Sequence, residues 1–378
     1  MRHIATLLLF IPSLALAGAD GDVESDEGVR VSAHILGWAT LYDMDRDPQA
    51  DPATYGDPEA DPGVSLRRAT LGFEGRRGRI EWDLELGHSQ RFDALSARTP
   101  LFSLFDAYAG YALPAGPGNL RLVAGQFRPV FSGEVLSSSA ELLFQERSPG
   151  AEWLGGSREL GLLADYRFDF GLRARMAVQN GGGDLDGDDN LGKRLSARVE
   201  FQRGDSPYAT GRVGAGNLVN VGAGVMRNDD VATATTSVSG DVRLRFGGLS
   251  INGEFIRSDI RPANTDVAEP TVQAGTVRLG ANTQVSYLVP MKHGGLEFGA
   301  RAAYFDDAQG KTDNGDLGVL HVGLSRRDAL PGLDFGVGYV HRQEFGGTSM
   351  PNDTVRAWFQ WFDKVRLDHQ PEVPVASR

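Results

Sequence analysis

The sequence predicts an all-β protein: a transmembrane antiparallel β-barrel of about sixteen strands, with a long third loop folded into the lumen. Three observations carry this. From Val29 to Phe362 the chain repeats segments in which apolar side chains occupy every second position. Breaks rich in Gly, Asp and Pro separate these segments and alternate between short and long. The chain also opens on an export signal. A period of two gives each segment one apolar and one polar face.

The opening residues set the solvent. Met1-Arg2-His3 is a basic start, Ile4 to Leu16 is apolar, and Ala15-Leu16-Ala17 is a small-x-small cleavage pattern. Residues 1–17 are therefore expected to be a signal peptide and 18–28 an acidic N-terminal segment. No later segment offers about eighteen continuous apolar residues, so no helix spans a bilayer. The alternative is an exported water-soluble sandwich, which would use shorter strands and bury its apolar faces against each other. Cysteine is absent, and a barrel holds without disulfides because every strand is paired.

The elements follow in order. Strands are expected at 29–42 and 64–75, split by the long connection 43–63. After the short turn 76–78 the third, 79–90, alternates Ile80, Trp82, Leu84 and Leu86 with Glu81, Asp83 and Glu85. A long break leads to 102–113, a short one to 119–129, and the longest connection, 130–157, to 158–168. The seventh, 171–180, sets Leu172, Ala174, Met176 and Val178 against Arg173, Arg175, Ala177 and Gln179. The eighth and ninth, 192–204 and 217–228, are joined by 205–216, a turn longer than the alternation allows. Strands at 236–246, 249–257, 275–289, 295–305, 317–326 and 333–344 restore the rule, and 354–362 closes on Trp358, Phe359, Trp361 and Phe362, an interfacial girdle. The barrel is thus expected over 29–362. An even strand number puts both termini on the periplasmic side, with 363–378, which contains Pro371 and Pro374, as a polar, disordered tail.

Sixteen strands enclose an aqueous channel, so a pore is the expected function. The connection 130–157 holds Phe131, Val135, Leu136, Leu142, Leu143, Phe144, Trp153 and Leu154, and this apolar content asks for burial inside the lumen. Packing on the rim or capping a neighbouring copy is the other way to bury it.

Within that connection, Gly125-Gln126-Phe127-Arg128-Pro129-Val130-Phe131-Ser132-Gly133-Glu134, then Ser137-Ser138-Ser139 and Phe144-Gln145-Glu146-Arg147-Ser148, resembles the phosphate-selective porin O and P family. Arg67 to Gly75, and Gln179-Asn180-Gly181 leading through Asp188-Asp189-Asn190 to Lys193 and Arg198, look similar too. The resemblance implies a trimeric outer-membrane channel of a Gram-negative bacterium, passing phosphate or similar small anions through a loop-constricted, arginine-lined lumen. It implies a constriction at Arg128, Glu134, Ser137, Ser138 and Arg147, and outer-membrane lipid as the barrel's surrounding partner.

The polar faces give an independent reading. Arg68, Arg173, Arg175, Arg194, Arg198, Arg243, Arg245, Arg278 and Arg301 form an expected ladder along the lumen wall. Arginine suits phosphate and carboxylate because its planar fork donates two hydrogen bonds and stays charged. Glu200, Asp241 and Glu297 share these faces, so pairing across strands competes with anion attraction. The net charge of −12 is concentrated in 20–27, 43–61 and 184–189, which leaves the barrel near neutral. Here the chain departs from the family: it has four lysines, with only Lys193 and Lys311 near outer loops, and an acidic mouth repels phosphate. A general or cation-preferring porin is the alternative. An enzyme is disfavoured, since His88-Ser89 lacks a Gly-x-Ser-x-Gly elbow, and the scattered histidines suggest no metal site or cofactor. The acidic run 184–190 lacks the Gly position and closing Glu of an EF-hand. Nothing in the chain points to nucleic acid.

Overall fold

Each alternating segment pairs with its chain neighbour, and the first strand finds the last, so sixteen antiparallel strands close into one barrel. The computed structural model describes residues 27–43, 63–89, 102–182, 192–205, 216–230, 233–263, 275–312, 315–347 and 353–367. The strands are β1 (Gly28–Asp43), β2 (Gly63–Arg77), β3 (Ile80–Ser89), β4 (Ser103–Pro114), β5 (Gly118–Phe127), β6 (Glu159–Phe168), β7 (Leu172–Gln179) and β8 (Arg194–Gly204). They continue as β9 (Leu218–Asp229), β10 (Thr233–Phe246), β11 (Leu249–Pro262), β12 (Thr276–Pro290), β13 (Gly295–Asp306), β14 (Leu317–Leu330), β15 (Leu333–Glu344) and β16 (Thr354–Arg366). Between β5 and β6 lie α1 (Gly133–Leu136), a 3₁₀ turn at Ser139–Glu141, and α2 (Pro149–Leu154).

The faces are inverted relative to a soluble sandwich. In β8, Leu195, Val199 and Phe201 are exposed while Ser196, Arg198 and Glu200 are buried. In β13, Phe298 is exposed beside a buried Glu297. One continuous apolar coat over polar inner walls suits lipid outside and polar contents inside, which disposes of the sandwich.

Strand count and turn pattern agree with the sequence reading; several ends do not. The expected tail begins at 363, yet β16 continues to Arg366, with Asp363 opposite Ala33 and Arg366 opposite Arg30. The reason lies in β1: its first residues need a backbone partner to close the barrel, and polar side chains at a strand end cost nothing there. Lys364 then bridges to Glu74 of β2 at 2.6 Å. β10, β11 and β14 also outrun their expected bounds. The long 205–216 turn is framed by Asp205 N donating to Asn217 O at 3.0 Å. Residues 206–215, the expected leader 1–17, the acidic residues 18–26, the acidic stretches 44–61 and 184–189, and residues 368–378 of the expected tail lie outside the described residues.

One irregularity positions the site. Leu36 pairs with Arg68 while Gly37 pairs with Leu66, so Arg67 is the extra residue of a β-bulge. A bulge breaks the period of two and re-aims a side chain. Arg67 is consequently buried next to Arg68 instead of facing lipid.

Candidate functional site

The segment 128–157 is built by its own caps and then tied to the polar face of the wall. Ser132, Ser138 and Ser148 cap α1, the 3₁₀ turn and α2, accepting from Val135 N, Ala140 N and Ala151 N respectively. Glu134 joins the two ends of the segment: its carboxylate accepts Ser148 N at 2.9 Å and Ser148 Oγ at 2.6 Å, and Asn282 of β12 donates to it at 3.1 Å. Glu254 of β11 accepts Gly133 N at 2.8 Å and Glu134 N at 3.3 Å. Further along, Arg198 reaches Phe131 O, Arg301 reaches Glu146 O, Arg327 reaches Leu143 O and Gln360 reaches Ala140 O. Phe131, Val135, Ala151 and Leu154 pack with Met226, Ile256, Phe305 and Leu317 of β9, β11, β13 and β14. The apolar content noted in the sequence is therefore spent on burial.

The expected constriction residues divide by role. Glu134 and Ser138 shape the segment, and Ser137 Oγ donates to Gly133 O and accepts from Arg243 at 3.0 Å. Arg128 donates to Val135 O at 2.8 Å, and Arg147 to Glu134 O at 3.2 Å and Ser137 O at 2.8 Å. Both spend their hydrogen bonds on neutral carbonyls, and neither forms an ion pair among the described residues. Burial, with Arg147 and Arg158 close by, pushes the Arg128 guanidinium well below its ordinary value. Burial also lowers Arg147, offset in part by Glu152. For Glu152, burial would raise the carboxyl, but Arg147, Arg67, Arg128 and Arg68 outweigh it and hold it below the usual range. Four arginines thus act on one carboxylate. Arg158 joins them, anchored to Asp106 at 2.8 Å and near Glu85 at 3.6 Å.

The expected ladder is mostly neutralised. Arg173 bonds Asp165 at 2.8 Å, Arg175 bonds Glu200 at 2.9 Å, and Arg194 pairs with Glu159 at 2.7 Å. Arg198 is fully buried between Glu200 at 3.0 Å and Asp241 at 2.6 Å. Arg245 lies 3.7 Å from Asp205, and Arg301 is 3.9 Å from Glu134. Arg278 is half-buried, opposite Ser258. The structure brings Arg68 and Arg301 toward Arg147, at a cavity they share. It also adds Arg67, Arg342 and Arg356 there, which the sequence reading missed. Alternation in β15 and β16 could have found Arg342 and Arg356; the bulge hid Arg67. Arg356 stacks over Trp38 with 3.8 Å between the guanidinium carbon and the ring centroid.

Other chemistry finds little support. His88 and Ser89 are adjacent on β3 and so point to opposite faces; Ser89 Oγ accepts from Arg68 at 3.2 Å. Asp306, Asp307 and Asp316 place one ligand oxygen each within 4.8 Å of the others. Asp306 already accepts Ala308 N at 3.0 Å.

Comparison with known proteins decides the family. The model of the phosphate-selective porin O and P family matches residues 43–250, more than half of the chain. The chain belongs to this family. Among curated proteins no sequence matches it. Its fold is similar to OprB of Pseudomonas putida (TM-score 0.57, 12% identity, 89% of this chain and 94% of that one). It is also similar to an anion-selective porin from Comamonas acidovorans (0.56, 11%, 89% and 98%) and to the trimer form of OmpT of Vibrio cholerae (0.55, 10%, 89% and 100%). At such identities the likeness concerns the fold: a sixteen-stranded outer-membrane porin. Family and barrel together make this porin O and P member a channel.

Proposed function

We propose that this porin conducts small anions, with 128–157 lying inside the lumen as the constriction and Arg68, Arg128 and Arg147 setting the selectivity. The observation that carries the reading is that Arg67, Arg68, Arg147, Arg301, Arg342 and Arg356 line one cavity against only two carboxylates in its lining, Glu146 and Glu152. A guanidinium stays charged in a narrow, weakly screened passage, where charges tune selectivity when they are not neutralised. The paired wall arginines contribute to structure more than to selectivity. Phosphate, which the family name implies, is one such anion; small carboxylates are others. Residues 1–17 direct export, 363–378 end on the periplasmic side, and three copies assemble, as the trimeric OmpT neighbour suggests.

A general or cation-preferring porin is the second reading. It is favoured by Glu81, Asp83, Glu85 and Asp106 on β3 and β4 and by the acidic outer loops. Reversal potential across a planar bilayer under a salt gradient separates the two: the anion reading expects the sign set by anions, and a shift toward cations in Arg128→Ala/Arg147→Ala.

A further inference from the structure

Three donors whose unpartnered atoms are buried line one cavity. The cavity lies between residues 145–153 and the wall of β1, β2 and β13 to β16. Arg68 Nη1, Gln145 Nε2 and Arg301 Nε line it and have no hydrogen-bond partner among the described residues. Gln145 and Arg301 are 6% and 5% exposed, so water outside the protein does not satisfy them cheaply. Such a donor set asks for an acceptor. Glu146 and Glu152 also line the cavity, but Glu146 is engaged by Arg67 at 2.9 Å and the two carboxylates face six arginines in the lining. The local charge stays positive.

Part of the lining is apolar, which an inorganic anion does not need. Trp153 of α2, Val319 of β14 and Val340 of β15 face the same space. Trp153 packs on the buried apolar cluster to which Val319 and Val340 belong, so these side chains form one fixed surface. A strongly hydrated phosphate gains nothing from it. A ligand with a flat hydrocarbon body does, because covering apolar area is worth about 25 cal/mol per Å².

We propose that this cavity is a binding subsite for an aromatic carboxylate. Its carboxylate takes the donors of Arg68, Gln145 and Arg301, and its ring lies against Trp153, Val319 and Val340. This rests on the anion-channel reading and narrows it from small anions in general to organic anions with an apolar body.

The test adds benzoate, acetate or inorganic phosphate to the wild-type protein in planar bilayers, follows ion current, and measures reversal potential on the same channels. Benzoate is expected to reduce the current at about tenfold lower concentration than acetate or phosphate, the ratio expected for one partly covered ring. In Trp153→Leu, which keeps the apolar packing, that ratio falls toward one; in Arg68→Gln, benzoate block weakens. Equal potency of benzoate and acetate in an anion-preferring wild type overturns the subsite alone. A cation-preferring reversal potential overturns the anion reading and the subsite with it.

Discussion

Glu134 and Ser148 hold the two halves of the segment 128–157 together: fourteen residues apart, they are joined by Ser148 N to Oε1 at 2.9 Å and Ser148 Oγ to Oε2 at 2.6 Å. Ser148 also caps α2, and Asn282 donates to both residues, at 3.1 Å to Glu134 and 2.9 Å to Ser148. One carboxylate thereby fixes the segment's shape and its place on the wall.

Replacing Glu134 by Gln exchanges an acceptor for a donor against Ser148 N. The buried N–H or amide then lacks a partner, a cost of about 1–3 kcal/mol. The expected result is a noisier, larger single-channel conductance with the barrel still folded, read as unchanged far-UV circular dichroism.

Arg67 owes its position to the bulge between Leu36 and Gly37. Arg68→Ala should move the reversal potential toward cations, and Arg67→Ala should do the same because it frees the Glu146 carboxylate that Arg67 holds at 2.9 Å. Arg245→Ala should leave it nearly unchanged, because Arg245 is paired with Asp205 and bonds Gly216 O at 2.7 Å, away from the arginine cluster. Parallel reversal-potential measurements on the three variants check this.

Arg198 is the opposite case. It separates Glu200 from Asp241, so Arg198→Ala leaves the buried Asp241 without this ion-pair partner and brings it nearer in effect to Glu200, which keeps Arg175 at 2.9 Å. The expected loss is about 3–5 kcal/mol of stability, the usual result of removing one partner of a buried pair. Unfolding of the barrel at lower temperature or denaturant concentration, with little change in ion preference, would bear this out.

The strand number, the alternating turns and the sidedness were legible because a period of two persists through sixteen segments, leaving only strand ends to be misjudged. The apolar side chains of 130–157 announced its burial. What stayed hidden depends on register. Alternation counted from Arg68 assigns Arg67 to lipid, and only pairing with β1 reveals the bulge. Glu200 and Asp241 were visible on the ladder's faces, yet that they flank Arg198 follows from the alignment of β8 with β9 and of β9 with β10. Asp363 to Arg366 carry no apolar alternation; the unpaired start of β1 makes them strand.

Glu152 supplies a pH dependence. Its carboxyl is held below the usual range by Arg147, Arg67, Arg128 and Arg68 against the effect of burial. A depressed carboxyl contributes stability that is complete above its unfolded value of about 4.3 and is lost as pH falls through the lower folded value. Ion preference should therefore be flat as pH falls from 7 to about 5 as far as Glu152 is concerned, and protonation at still lower pH should strengthen anion preference. Glu152→Gln should show that stronger preference already at neutral pH. Reversal potential against pH for both proteins reads the difference.

The most direct test of the central claim is the reversal potential of the wild-type channel at 0.1 M salt and above, where the Debye length is about 10 Å or less and acidic outer loops are largely screened. The account predicts a sign set by anions, a shift toward cations in Arg128→Ala/Arg147→Ala, and little change when Asp184, Asp186, Asp188 and Asp189 become Asn. A wild type that prefers cations, or one whose preference follows the loop aspartates and ignores Arg128 and Arg147, contradicts it.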